Sequence, residues 1–117
     1  MSFSNAYEQA ILTAIRALNL EVRMHTGDPG EDCTANEVVG GSYAPEVVTF
    51  GAPVAGSMSN DVVVQFDGMP ACTVTHTSLW NTDLDTPVLY GALDEAKEVL
   101  AGQTCEWRVG TLIATVS

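Results

Sequence analysis

Positive charge is scarce in this chain. Four basic residues, Arg16, Arg23, Lys97 and Arg108, face fifteen acidic ones, giving a formal net charge of −11 over 117 residues. Nucleic-acid affinity comes mainly from Lys and Arg contacts with phosphates, so no nucleic-acid partner is expected. An anionic membrane surface is disfavoured for the same reason, and no stretch approaches the roughly 20 apolar residues of a spanning helix. The opening Met1-Ser2-Phe3-Ser4-Asn5 lacks a basic segment followed by an apolar run, so no signal peptide is expected and the cytoplasm is the expected place of synthesis. Charge of both signs together makes up only 16% of residues, below the usual ~25%. The polar surface must therefore come largely from Thr, Ser, Asn and Gly. The acidic surplus keeps a free chain soluble and implies a basic partner, or apolar contact, in any assembly.

Cysteine is sparse too. Cys33, Cys72 and Cys105 lie far apart, with no C-x-x-C pair. That argues against a disulfide framework or a zinc ribbon and for free, packed thiols; a bridge from loop residue Cys33 to a neighbouring subunit is the alternative. Cys72 and His76 would stand about 13 Å apart along a strand, too far to share a metal. The sequence has no Gly-x-Ser-x-Gly elbow. His76, Ser78 and Asp83 superficially form a triad, but a strand sets Ser78 one pleat along from the His76 ring rather than within its reach. The carboxylates are scattered, so no glycosidase pair stands out. Gly40-Gly41-Ser42 precedes a strand and has no accompanying Lys, unlike a phosphate loop. Neither an enzyme nor a cofactor is expected. The remaining metal candidate is calcium at Asp28, Glu31 and Asp32, three carboxylates in one Gly-bearing loop. Their spacing matches no EF-hand, so the expectation is a solvated acidic loop with an Asx-type turn and no metal, with calcium as the weaker alternative.

What is present reads as one domain. Residues 1–19 form an N-terminal helix belonging to the same domain as the β-sandwich of residues 20–117. Asn5 and Glu8 suit a capping box, with Ser4 as the other possible cap. Tyr7, Ile11, Ala14, Ile15 and Leu18 fall at helical spacing as an apolar stripe that docks either on its own sheet or on another chain. Asn19 is the expected stop. The period then changes to two. Leu20, Val22 and Met24 alternate with Glu21, Arg23 and His25, which predicts a half-buried strand. Further strands are expected over 43–50, with Pro45 marking an edge or bulge, and over 61–66 with Val62, Val64 and Phe66 on one face. Residues 51–58 read as a turn region. The clearest strand is 72–80, with Cys72, Val74, His76, Ser78 and Trp80 on one face. Then come 88–93 opened by Pro87, an ambiguous strand or loop over 94–100, and strands over 104–109 and 111–116. About seven short strands at roughly 8–12-residue intervals, separated by Gly, Pro, Asn and Asp, predict a mainly β fold: an antiparallel sandwich or barrel-like domain with one N-terminal α-helix. Trp80, Trp107, Phe50, Phe66 and Tyr90 are expected in its core.

The most distinctive segment is the loop after the first strand. His25-Thr26-Gly27-Asp28-Pro29-Gly30 carries turn chemistry, and Asn36-Glu37-Val38-Val39-Gly40-Gly41-Ser42-Tyr43-Ala44 follows with a glycine hinge. A shaped loop on a rigid sheet is a contact surface. The expected contact residues are His25, Asp28, Pro29, Asn36, Glu37, Val38 and Tyr43, with Tyr7 and Ile11 on the helix.

These blocks, together with Val47-Val48-Thr49-Phe50, Val74-Thr75-His76-Thr77-Ser78-Leu79-Trp80, Leu89-Tyr90-Gly91-Ala92-Leu93 and a closing Ala101-Gly102-Gln103, resemble a family of small tailed-bacteriophage virion proteins described variously as tail fibre, minor tail or head decoration proteins. The resemblance spans nearly the whole chain. It departs at Pro45, where an arginine would commonly follow Tyr-Ala, and at Pro70-Ala71-Cys72-Thr73, which replaces a Trp-Gly-Thr type segment. The resemblance implies a non-enzymatic virion protein made in the bacterial host. The first expectation is a capsid decoration (cement) protein whose partners are the major capsid protein and copies of itself, as a trimer or other homo-oligomer. The alternatives are a minor tail, neck or tail-fibre component that contacts tail proteins, or a host-glycan- or calcium-binding module.

Overall fold

The computed structural model describes Met1 and residues 3–116. Helix α1 spans Asn5–Arg16, and the strands are β1 (Leu20–His25), β2 (Glu46–Val48), β3 (Ser57–Ser59), β4 (Val64–Phe66), β5 (Cys72–Asn81), β6 (Thr86–Val99), β7 (Cys105–Trp107) and β8 (Ile113–Thr115). The fold is mainly β, with antiparallel pairing throughout. One four-stranded sheet has the order β2-β1-β5-β6, and two ribbons, β3-β8 and β4-β7, complete a sandwich-like arrangement.

Ser4 caps the helix, its hydroxyl accepting from the Tyr7 amide at 3.3 Å, so the cap is Ser4 rather than Asn5. Glu8 in the first turn and Arg16 in the last complement the helix dipole. The helix ends at Ala17 rather than Asn19. Its docked face also differs from the expected stripe. Leu12 and Ile15 are buried and Ile11 is half-buried, whereas Tyr7, Ala14 and Leu18 are exposed. Apolar residues cover a wide arc of this helix, so spacing alone admits more than one stripe; the core selects the one containing Leu12. The Gln9 amide donates to the Pro53 carbonyl and Arg16 Nε to the Phe50 carbonyl at 3.1 Å, fixing the helix across the β2–β3 connection.

Strand boundaries depart from expectation for local reasons. Pro45 donates no ladder hydrogen bond, and β2 begins just after it, at the sheet edge. β3 lies inside the expected turn region, its Ser-Met-Ser core lacking any β-branched residue. β6 runs unbroken through 94–99, so the ambiguous segment is strand. The described residues thus form eight strands, in keeping with the expected number of about seven. In β5 the single alternation fails: Val74 pairs with Lys97 but His76 with Ala92, an irregularity that breaks the expected face.

One continuous core joins the sheet and both ribbons. Leu20, Val22 and Met24 of β1 meet Val74 and Leu79 of β5, Met58 of β3, Val64 and Phe66 of β4, Trp107 of β7 and Ala114 of β8. Phe66 stacks on Tyr43 at 5.8 Å and meets Trp107 edge-on at 5.9 Å. Phe50, Trp80 and Trp107 are buried as expected; Tyr90 and Val62 are not.

Truncating Leu12, which is fully buried, is expected to cost about 2–5 kcal/mol in a urea titration. Gly41 has φ +55°, and a Cβ there would lie 2.4 Å from the Gly68 carbonyl oxygen. Gly41→Ala is therefore expected to cost about 2–3 kcal/mol, through backbone that cannot yield. Gly102→Ala, with φ +82° but open space around its Cβ, is expected to cost only about 1 kcal/mol by the same measurement.

Candidate contact loop

The residues 26–43 run along the edge of β1 beyond the end of β2. The Val38 amide donates to the Met24 carbonyl at 3.0 Å and the Thr26 amide to the Asn36 carbonyl at 2.9 Å, so the loop continues the sheet's hydrogen bonding. Its tip is closed locally. Asp28 Oδ1 accepts from the Gly30 amide at 2.9 Å, and Asn36 Nδ2 donates to the Asp28 carbonyl at 3.0 Å. Asp32 Oδ1 accepts from the Thr34 hydroxyl at 3.0 Å. Cys33 and Asn36 both take positive φ, 57° and 60°. The far end is held by Ser42, whose amide donates to the Gly68 carbonyl at 2.7 Å.

Beneath the loop lies a buried polar relay. Register sets Glu21 opposite Trp80, Arg23 opposite Ser78 and His25 opposite His76, all on one face of the β1–β5 pair. His25 Nδ1 sits 2.8 Å from the Ala35 carbonyl, an acceptor only, so Nδ1 carries the proton. Nε2 is then the acceptor, and the Ser78 hydroxyl donates to it at 2.8 Å. Trp80 Nε1 donates to Ser78 Oγ at 3.1 Å. Each member is satisfied, and His25 and Ser78 are 0% and 1% exposed. Desolvation by burial holds the His25 pKa below its ordinary value, against the opposing pull of the Ala35 carbonyl and Glu37; His76 and Arg23 add to the lowering. Arg23 lies over the Trp80 ring at 3.9 Å and pairs with Glu21 at 2.6 Å. Tyr43 donates to Glu37 at 2.7 Å and accepts from the Met24 amide at 3.0 Å; burial pushes its phenol pKa up.

The expected contact residues therefore separate. His25, Pro29 and Val38 are interior, and Tyr43 is turned to the core, because the loop lies down on the sheet instead of standing off it. They shape the surface and do not present themselves on it. Asp28 and Asn36 are exposed but engaged in closing the tip, and Glu37 is half-buried on Tyr43. Tyr7 is exposed and Ile11 half-buried on the helix. Asp28 and Asp32 act as turn acceptors and Glu31 is exposed, and among the described residues no three His, Cys, Asp or Glu side chains gather as a metal-holding group. Cys33 is 1% exposed, a packed thiol. Two features escaped the sequence reading. The Ser78 partner is His25, a strand away, rather than His76; and Arg23 is the hub of a small ion cluster. Alternation placed Arg23 and His25 on one face, but only the β1–β5 register brings Ser78 to them.

Residues 2–115 match a family described as podophage GP4 fiber I protein gp80. The chain belongs to that family. No curated protein matches it. The gp80 family is one of small tailed-phage virion proteins, as the loop and strand blocks implied, and the match takes in α1, every strand and the whole 26–43 loop. In this gp80-family chain three of the basic side chains are engaged by neighbours, Arg16 by the Phe50 carbonyl, Arg23 by Glu21 and Lys97 by Trp107 and the Glu106 carbonyl, whereas Arg108 stays 85% exposed at 3.8 Å from Glu106.

The relay carries a pH signature. The unfolded chain protonates this ring near pH 6.5, while the folded ring resists protonation. The unfolded state thus binds more protons as pH falls below about 6.5, and the His25 contribution to stability declines over that range until the folded ring also protonates. Urea midpoints of the native chain and His25→Asn, compared at neutral pH and at pH 5, are expected to converge partly on acidification. A gap between them that stays constant with pH would rule the relay out as the titrating element.

Proposed function

We propose that this chain is a non-enzymatic structural component of a podophage tail fibre. The observation that carries the reading is the match of residues 2–115 to a family whose description names a fibre, which favours the tail-fibre alternative over head decoration. Two features of the chain support a structural role. The Ser–His pair that most resembles catalytic machinery is sealed: Ser78 and His25 are buried, the ring's second nitrogen faces a backbone carbonyl and not a carboxylate, and Trp80 occupies the Ser78 oxygen. The cleft of about 190 Å³ between β6 and β8 is lined mainly by apolar and small side chains, Leu89, Leu93, Leu112 and Ala114 among them, with Asp94 as its carboxylate. On this reading its partners are neighbouring tail proteins. A loop stitched along a strand edge offers them a shaped surface whose exposed charges, Asp28, Glu31 and Asp32, are all acidic, and repetition over several copies makes weak contacts sufficient.

Antibody-gold labelling of purified particles tests this directly. Gold is expected at the tail, in low copy. Labelling spread over the head would overturn the fibre reading in favour of decoration.

A further inference from the structure

Helix α1 has two apolar faces, and its own sheet uses only one. Leu12 and Ile15 face the core. On the opposite side Phe3, Tyr7, Ala10, Ala14 and Ala17 are all exposed. Tyr7, Ala10, Ala14 and the C-cap Ala17 are spaced three, four and three along the helix, the repeat of a helix–helix seam, and Phe3 lies just ahead of the Ser4 cap against Tyr7. An exposed helix face ordinarily carries charge. This one carries none: Glu8 is half-buried against Gly56, and Arg16 donates to the Phe50 carbonyl. Phe3 and Tyr7 pair at 5.7 Å between ring centroids, yet stay 47% and 60% exposed.

We propose that this outer face of α1 packs against α1 of a second copy of the chain. Three observations select that occupant. The four-three spacing fits another helix, and α1 is the one helix among the described residues. A second copy also carries −11, so two copies approach with least repulsion where neither presents a carboxylate, which is this face. A basic partner would instead find its complement on β6, at Asp94, Glu95 and Glu98. Twelve residues make a seam of only about 18 Å, too short for isolated helices to hold. Here each helix is already ordered by its core contacts, so association does not have to fold it. The alanines let the backbones approach closely at one end while the Phe3–Tyr7 pair fills the wider end. This inference does not rest on the fibre reading, since it is read on the purified chain and not on the particle.

Sedimentation of the full chain over a wide concentration range provides the test. The native chain is expected to reach a multiple of 12.4 kDa. Ala10→Glu combined with Ala14→Glu, both on the solvent side of a folded helix, is expected to return it to the single-chain mass with an unchanged circular dichroism spectrum. Tyr7→Lys provides a second variant should the double one fail to fold, with the same expectation. Tyr90→Lys, on the open β6 edge, is expected to leave the assembled mass intact. A native chain that sediments as a monomer throughout, folded α1 variants that keep the assembled mass, or dissociation by Tyr90→Lys alone would each overturn the proposal.

Discussion

The hydrogen-bonded run from Trp80 through Ser78 and His25 to the Ala35 carbonyl ties the longest irregular segment of the chain to its sheet. Burying an imidazole and a hydroxyl is tolerable only when every donor and acceptor is matched, since one orphaned group costs about 1–3 kcal/mol. Matching them here requires three conditions to hold at once: the β1–β5 register, the tautomer of one ring, and the path of the loop over Ala35. Tyr43 makes the same connection from the far end, reaching Glu37 and the Met24 amide. The loop is thereby part of the framework, and its exposed outline is set by side chains that point away from solvent.

Charge arrangement follows the same economy. With Arg16, Arg23 and Lys97 engaged by carbonyls, rings and a nearby carboxylate, the outward-facing ionised groups are mainly acidic. Long-range repulsion between copies is then the default, softened within a Debye length of about 8 Å at physiological salt. Association must run through surface without carboxylates or toward a basic neighbour. The two halves of the molecule offer one of each, a neutral helix and an acid-bearing long strand.

Much of the fold was legible because hydrophobic period is a local property. β1, β5 and the N-terminal helix read directly from spacing, and so did the edge position marked by Pro45. What escaped was set by distant partners. β3 has no strand-forming residue of its own and exists because β8 lies beside it. The docked face of α1 turned on Leu12, one residue from a stripe that looked equally apolar. The loop was correctly singled out as shaped, yet the side chains chosen as its contacts, His25, Pro29 and Val38, lie inside, because turn chemistry marks where a chain bends and says nothing about which way the bend folds over. Ser78 was weighed against the wrong histidine for the same reason.

Among the described residues the fourteen of β6 leave one whole flank of the main sheet without a neighbouring strand. Such a flank invites stacking of chain on chain into fibrils. Its uncharged stretch, Val88 to Leu93, lies between Pro87, which interrupts the ladder, and a run of Asp94, Glu95 and Glu98, which repels a like strand laid in register. Those residues act as gatekeepers: with them the sheet can keep a bare flank and still avoid amyloid-like growth.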